Sequence, residues 1–247
     1  MRVVSVAFAG ALLAMTACAK GQGDGIGIGG SPDGSVVNFP DAGIVFPDAN
    51  NNNPTPDADG GGTPQTKTMS QTTDRTTITS ANSVACADNT SGNTTDNSYY
   101  RVFDLSANGV NSTYSVSSVH IGVEQASSTA GSQQVDVRLY TLSGAVSVAN
   151  LTQIGTASAS VSDATGSFVD VPITASVPGG SQLVVEVHTA DGTTAGNTFY
   201  IGSNAGGESA PGYIMAADCS VTDMTTDTAI GYPDMHMLVE VTGTYTP

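Results

Sequence analysis

From about Gln71 onward, short apolar runs alternate with polar residues, and Gly, Asn, Asp and Ser separate one run from the next. Period-two alternation places successive side chains on opposite faces of a strand, so the pattern predicts an antiparallel β protein. Val119, Ile121 and Val123 alternate with His120, Gly122 and Glu124, one set facing a core and the other facing water. The same period recurs in Val135–Leu139, Leu183–His188 and Met235–Val241, while Phe168–Ile173 and Thr198–Ile201 supply further strands. Turns are marked by Gly166, Pro178-Gly179-Gly180 and Asp191-Gly192. No stretch of this region sustains a helical period. Residues 71–247, with about nine or ten strands, suit one two-sheet antiparallel β-sandwich, because an open sheet of that width leaves an apolar face wet. A jelly-roll-like arrangement is the first choice and an immunoglobulin-like one the alternative.

The amino-terminal quarter lacks this period. Residues 18–70 are rich in Gly, Pro, Asp, Asn and Thr, with scattered apolar positions that bury too little surface to offset the entropy of ordering. A Pro-Asp unit recurs at Pro32-Asp33, Pro40-Asp41, Pro47-Asp48 and Pro56-Asp57, and Asn50 to Asn53 form a polar run. Proline stiffness and aspartate repulsion predict an extended tether, reaching about 40 Å even as a flexible coil. It resembles the tethers of myxobacterial surface lipoproteins.

Residues 1–17 read as a signal peptide: Arg2, then apolar residues from Val3 to Met15 broken only by Ser5 and Gly10, then Thr16-Ala17 before Cys18. The apolar run is too short for a permanent transmembrane helix. Leu13-Ala14-Met15-Thr16-Ala17-Cys18 resembles the bacterial lipobox, with Met15 where that family usually has Leu. The resemblance implies that Cys18 is acylated and becomes the mature amino terminus, anchoring the protein at the cell envelope, in the outer membrane, with the domain displayed in the periplasm or at the cell surface. An ordinary secretory signal that leaves Cys18 unmodified is the alternative.

Cysteine number fits the lipid anchor. The chain has three cysteines, and acylation of Cys18 leaves Cys86 and Cys219 as an even pair for a disulfide in an oxidising compartment. Two unpaired buried thiols are the alternative. The formal charge is −16 with six Lys plus Arg, which excludes a basic groove for nucleic acid and leaves acyl chains as the membrane contact.

Asn93-Thr94-Thr95-Asp96-Asn97-Ser98-Tyr99-Tyr100-Arg101-Val102-Phe103-Asp104-Leu105 resembles a recurring β-sandwich domain of secreted bacterial proteins. Further matches are Val135–Leu142, Ile154–Ala157, Phe199–Asn204 and Gly231–His236, so the likeness covers the chain from about Asp74 onward. That family is often appended to peptidases and other hydrolases. The resemblance implies fold and secretion, and it carries over no catalytic residue.

Candidate chemistry is sparse. Gly25-Ile26-Gly27-Ile28-Gly29-Gly30 satisfies the spacing of a dinucleotide fingerprint without a preceding strand or following helix, and Asp57-Ala58-Asp59-Gly60 opens a calcium loop that Thr68 fails to close. His120, His188 and His236 fall on polar strand sides near Glu124, Glu186 and Glu240, a set that suits zinc only if the strands are neighbours; surface histidines are the preferred reading. Structural calcium is the better metal candidate, through Asp88, Asp96, Asp218 and Asp223 in loops that a Cys86–Cys219 bond would bring together. Tyr99, Tyr100 and Tyr232 are candidate aromatic contacts to sugar. There is no G-x-S-x-G elbow, H-E-x-x-H helix or Cys nucleophile placed beside His. The expectation is a non-catalytic binding or structural module for glycan or protein, with an accessory domain of a secreted hydrolase system, or an unrecognised hydrolase, as the alternative.

Overall fold

The computed structural model describes residues 62–247. The signal peptide, Cys18 and the tether up to residue 61 lie outside the described residues. The strands are β1 (Gln65–Ser70), β2 (Asn97–Asp104), β3 (Tyr114–Ser127), β4 (Ser132–Leu142), β5 (Leu151–Ser162), β6 (Ala164–Val177) and β7 (Gln182–Thr189). There follow β8 (Thr198–Ile201), β9 (Ser203–Asn204), β10 (Gly212–Ala216), β11 (Val221–Thr226), β12 (His236–Met237) and β13 (Val239–Tyr245). One sheet runs β1-β13-β3-β6, with β8 also pairing along β3; the other runs β11-β10-β2-β7-β4-β5; β9 and β12 pair separately.

Leaving aside β8 to β12, two four-stranded sheets remain, β1-β13-β3-β6 and β2-β7-β4-β5, and the chain passes between them as two Greek keys. This is a jelly roll, the first of the two expected arrangements. The segment between β7 and β13 is an insertion that widens the second sheet by β10 and β11. Inner faces pack Tyr99, Phe103, Ile121, Leu139, Leu183 and Val185 into one dry core. Each such side chain contributes about 1.5–3 kcal/mol of burial free energy.

Three local expectations change. The tether boundary at residue 70 gives way, because β1 lies inside the stretch read as linker and pairs along its whole length with β13. Its sequence hides the strand: Met69 is its one core-facing apolar residue, and the rest of the alternation is polar against polar. Gly166 lies within β6 rather than at a turn, and the chain reverses upstream, at Asp163. The Met235–Val241 run is two strands, interrupted at Leu238.

The interruption has a backbone cause. Gly122 N–H donates to the Leu238 carbonyl, Leu238 N–H to the Gly202 carbonyl, and Gly202 N–H to the Gly122 carbonyl, so three segments meet with no room for a side chain at Gly122 or Gly202 beside that of Leu238. A Cβ on Gly202 would lie 2.6 Å from the Gly122 carbonyl carbon. Gly122 therefore occupies a packed crossing and not a water-facing position.

Cys86 and Cys219 form a disulfide across a sequence separation of 133 residues, as the cysteine arithmetic expects. It joins the loop before β2 to the turn Ala217–Cys219 after β10, two strands that are hydrogen-bonded neighbours.

Candidate functional site

Alternation assigns Ser98, Tyr100 and Val102 of β2 to the outer face of the six-stranded sheet, together with Val184, Glu186 and His188 of β7 and Asp136, Arg138 and Tyr140 of β4. Antiparallel register then lines them up. Ser98 pairs His188, which pairs Asp136; Tyr100 pairs Glu186, which pairs Arg138. Polar side chains from three strands thus form two adjacent rows across the middle of the sheet, where cross-strand neighbours interact directly.

Glu186 anchors the rows. Its carboxylate is only 3% exposed and accepts from Ser98 Oγ at 2.7 Å, Tyr100 Oη at 3.2 Å, Arg138 Nη1 at 3.2 Å and Tyr140 Oη. A buried carboxylate is tolerated when its lone pairs are filled in this way. Burial, reinforced by the Glu186 charge, pushes the Tyr100 and Tyr140 hydroxyls well above the usual phenol range and keeps them as donors. Burial works against the Arg138 charge, but Glu186, Tyr140 and Asp136 together outweigh it and raise the guanidinium further.

Arg138 and His188 extend the rows toward solvent. Arg138 Nη2 lies 3.0 Å from His188 Nδ1, and His188 Nε2 lies 3.1 Å from Asp96 Oδ2. A guanidinium can only donate, so Nδ1 accepts and the ring carries its proton on Nε2, directed at Asp96. Asp136 is partly buried, which disfavours its charge, yet hydrogen bonds from Ser158 and Gln134 together with Arg138 hold it below the ordinary carboxyl value. Those two residues also line a shallow groove of about 250 Å³ bordered by Ser132, Gln133, Ala159 and Ser160.

The other half of the same face is covered. Tyr100, Leu142, Val184 and Met224 form a second apolar cluster, with Val146 of the β4–β5 connection and Leu151 at the start of β5 packed on it. Asp223 on β11 clamps that connection, accepting from Ser147 Oγ and Val148 N–H, both at 2.8 Å. The face is therefore divided between a sealed apolar half and an open half that presents Asp96, Asp136, Arg138 and His188.

The polar row contains no activated nucleophile. Ser98, His188 and Asp96 stand side by side, but the Ser98 hydroxyl is buried and donates to Glu186, so no base activates it. Glu186 has three donors on Oε1 and one on Oε2, and its carboxylate is shielded from solvent. A rigid array of donors and acceptors, each held by a neighbour, suits recognition of hydroxyl-bearing ligands.

The aromatic expectation changes. Tyr99 is fully buried with its hydroxyl on the Val84 carbonyl, Tyr100 is buried under the apolar cluster, and Tyr232 packs half-buried against the main core. Tyr99 and Tyr100 offer no open ring face, whereas Tyr232 keeps part of its ring exposed. The histidines are dispersed: His120 on the opposite sheet pairs with Asp170 at 2.7 Å and stacks on Phe168, and His236 is buried and accepts from Gly207 N–H. The expected neighbours of the histidines have other duties. Glu124 accepts from Ala81 and Ser83 N–H, and Glu240 grips Arg75.

Among the described residues no three His, Cys, Asp or Glu side chains converge as a metal-binding group. Asp88 caps its own turn through Ser91 and Thr90 N–H, Asp223 is the clamp described above, Asp96 faces His188, and Asp218 is exposed in the turn that carries Cys219. The Glu186 system was missed from sequence. Its signal is there, as Asp136-x-Arg138-x-Tyr140 and Glu186-x-His188, but only strand pairing joins the halves.

Glu186→Ala leaves three hydroxyls and a guanidinium without their acceptor, and is expected to lower unfolding free energy by about 3 kcal/mol or more. Tyr140→Phe removes one donor and is expected to cost under about 1.5 kcal/mol. Urea denaturation of the two variants checks this order.

No family model matches the chain, and no curated protein matches it. Among solved structures it is similar to the cysteine protease and lectin-like domains of Cwp84, a surface layer associated protein of Clostridium difficile, with 16% identity and a TM-score of 0.44. That match covers 62% of this chain and 33% of the other. A propeptide-cleaved form of the clostridial cysteine protease Cwp84 gives 16% identity and a TM-score of 0.45, over 74% of this chain and 40% of the other. The chain thus spans well under half the length of either.

Proposed function

We propose that this protein is a non-catalytic binding module, held at the bacterial cell envelope by acyl chains on Cys18, and that it engages a neutral glycan on the open half of the six-stranded sheet. The observation that carries the reading is the Glu186-anchored row, which fixes Arg138, His188, Asp136 and Asp96 at a surface beside an open groove. Preorganised polar groups lose little entropy on binding. Three carboxylates against one guanidinium give this face a net negative charge, and each of Arg75, Arg101 and Arg138 is paired with a carboxylate. Polyanions are therefore repelled and neutral sugars favoured. The lipobox resemblance supports the anchor, as does the engagement of Cys86 and Cys219 with each other.

Service as the accessory module of a secreted hydrolase is the second reading. It is favoured by the Ser98-His188-Asp96 neighbourhood lacking an activated nucleophile, so that hydrolysis would fall to another protein. A glycan array and envelope pull-down with the mature full chain test both readings. We expect retention on neutral polysaccharide that weakens about ten-fold in Asp96→Asn, corresponding to one charge-assisted hydrogen bond. A blank array and pull-down at high display density would remove the binding reading. Intact mass of the protein from membranes checks the acyl chains.

A further inference from the structure

The sandwich interior holds a second polar group, unrelated to the outer face. Arg101 is at an inward position of β2, between Tyr99 and Phe103, and is fully buried. All five of its N–H groups are engaged: Nε with the Met237 carbonyl, Nη1 with Glu208 and the Ala210 carbonyl, Nη2 with Thr72 Oγ1 and again the Met237 carbonyl. Its charge is matched by Glu208 at 2.7 Å.

Asp227, at the end of β11, brings a second carboxylate to the same place. It is 3% exposed, and neither of its oxygens has a hydrogen-bond partner. The carboxyl lies over Gly212, where a Cβ would collide with Asp227 Oδ2 and Met237 Cε. The charged and titratable groups facing it are Arg101 and Tyr99 from β2 and Glu208 from the segment before β10, while His236 on β12 is directed at Gly207 instead. Two carboxylates thus share one guanidinium whose donors are all committed elsewhere. A neutral carboxylic acid without partners is far cheaper to bury than an unpaired carboxylate.

We propose that Asp227 is a proton-operated latch, which seats the turn from Asp227 to Tyr232 on the sandwich when neutral and releases it on ionisation. Bonds from Ala229 and Ile230 N–H to the Thr226 carbonyl and from Tyr232 N–H to the Asp227 carbonyl shape the turn itself; the sandwich holds it through Asp227 N–H to the Gly212 carbonyl at 3.2 Å and the partly buried Ile230 and Tyr232. Burial is the main force that pushes the Asp227 carboxyl up to about 7, with Arg101 opposing and Glu208 assisting. Because the folded value is raised, the protonated folded state is favoured below the ordinary carboxyl value, and this stabilisation is lost as pH rises through about 7. Carboxyls such as Asp74, held at about 2 chiefly by Thr76 N–H, slope the opposite way at lower pH, so the Asp227 contribution is the difference between wild type and Asp227→Asn from about 4 to 7.

The test is hydrogen exchange of the 227–232 segment and urea unfolding of the full chain between pH 4 and 9. In wild type the ratio of closed to open forms is expected to fall, by at most ten-fold per pH unit, and to level off above about 7. Asp227→Asn, a neutral mimic, should remove that slope. Glu208→Gln should free Arg101 to pair with ionised Asp227 and move the step to lower pH. An unchanged slope in Asp227→Asn overturns the proposal. If that variant does not fold, an unmoved step in Glu208→Gln overturns it equally.

Discussion

Replacing Cys86 and Cys219 together by serine is expected to lower the unfolding free energy by up to roughly 5 kcal/mol, among the largest effects of any change in this domain. The bond closes a loop across 133 residues, and chain-entropy loss in the unfolded state grows with the logarithm of loop length. Its position concentrates the effect. Cys86 lies in the loop before β2, where Asn97 binds both the Cys86 N–H and its carbonyl, and Cys219 ends the turn after β10. Freed of the bridge, the insertion remains attached through the β10–β2 ladder and the Arg101 cluster. Reduced wild type and the double serine variant should therefore show the same loss, with the β10–β11 amides exchanging first. A midpoint in urea unchanged by reduction would contradict this.

Arg101→Ala is expected to cost about 3–5 kcal/mol, or to prevent folding at 37 °C. The loss exceeds that of a truncated apolar side chain because it strands a partly buried carboxylate, Glu208, and the carbonyls of Ala210 and Met237. It also removes the cation facing Asp227, and buried Asp227 and partly buried Glu208 lose their shared counter-charge. Arg101→Met with Glu208→Gln should recover part of the stability, because an apolar side chain of similar reach fills the space and the stranded charge is gone. Equal destabilisation by the single and double variants would show that the arginine contributes packing alone.

Arg101 also illustrates how sequence and tertiary structure divide the information. The alternation Tyr99-x-Arg101-x-Phe103 puts it at an inward position, yet a charge in a core register reads as a fault until its partners are known. Those partners are Thr72, Glu208 and Met237, at separations of 29, 107 and 136 residues. The same holds for Glu186, whose acceptor role depends on Ser98 and Tyr140 lying on flanking strands. Tyr99 and Tyr100 show the reverse case. Adjacent residues in a strand point to opposite faces, so only one of them faces the core; that the outer one is also buried follows from the covering β4–β5 connection.

Local patterning determined the class of fold, because hydrophobic periodicity is a property of consecutive residues and one dry face per strand requires a second sheet to cover it. It also pointed to the cysteine pair, because reading Cys18 as acylated leaves two thiols, and the tertiary structure joins them. Strand order, the β1 edge and both polar clusters were decided by tertiary structure alone. Their energetics come from contacts between residues dozens to more than a hundred positions apart, and no window of sequence records which strand lies beside which.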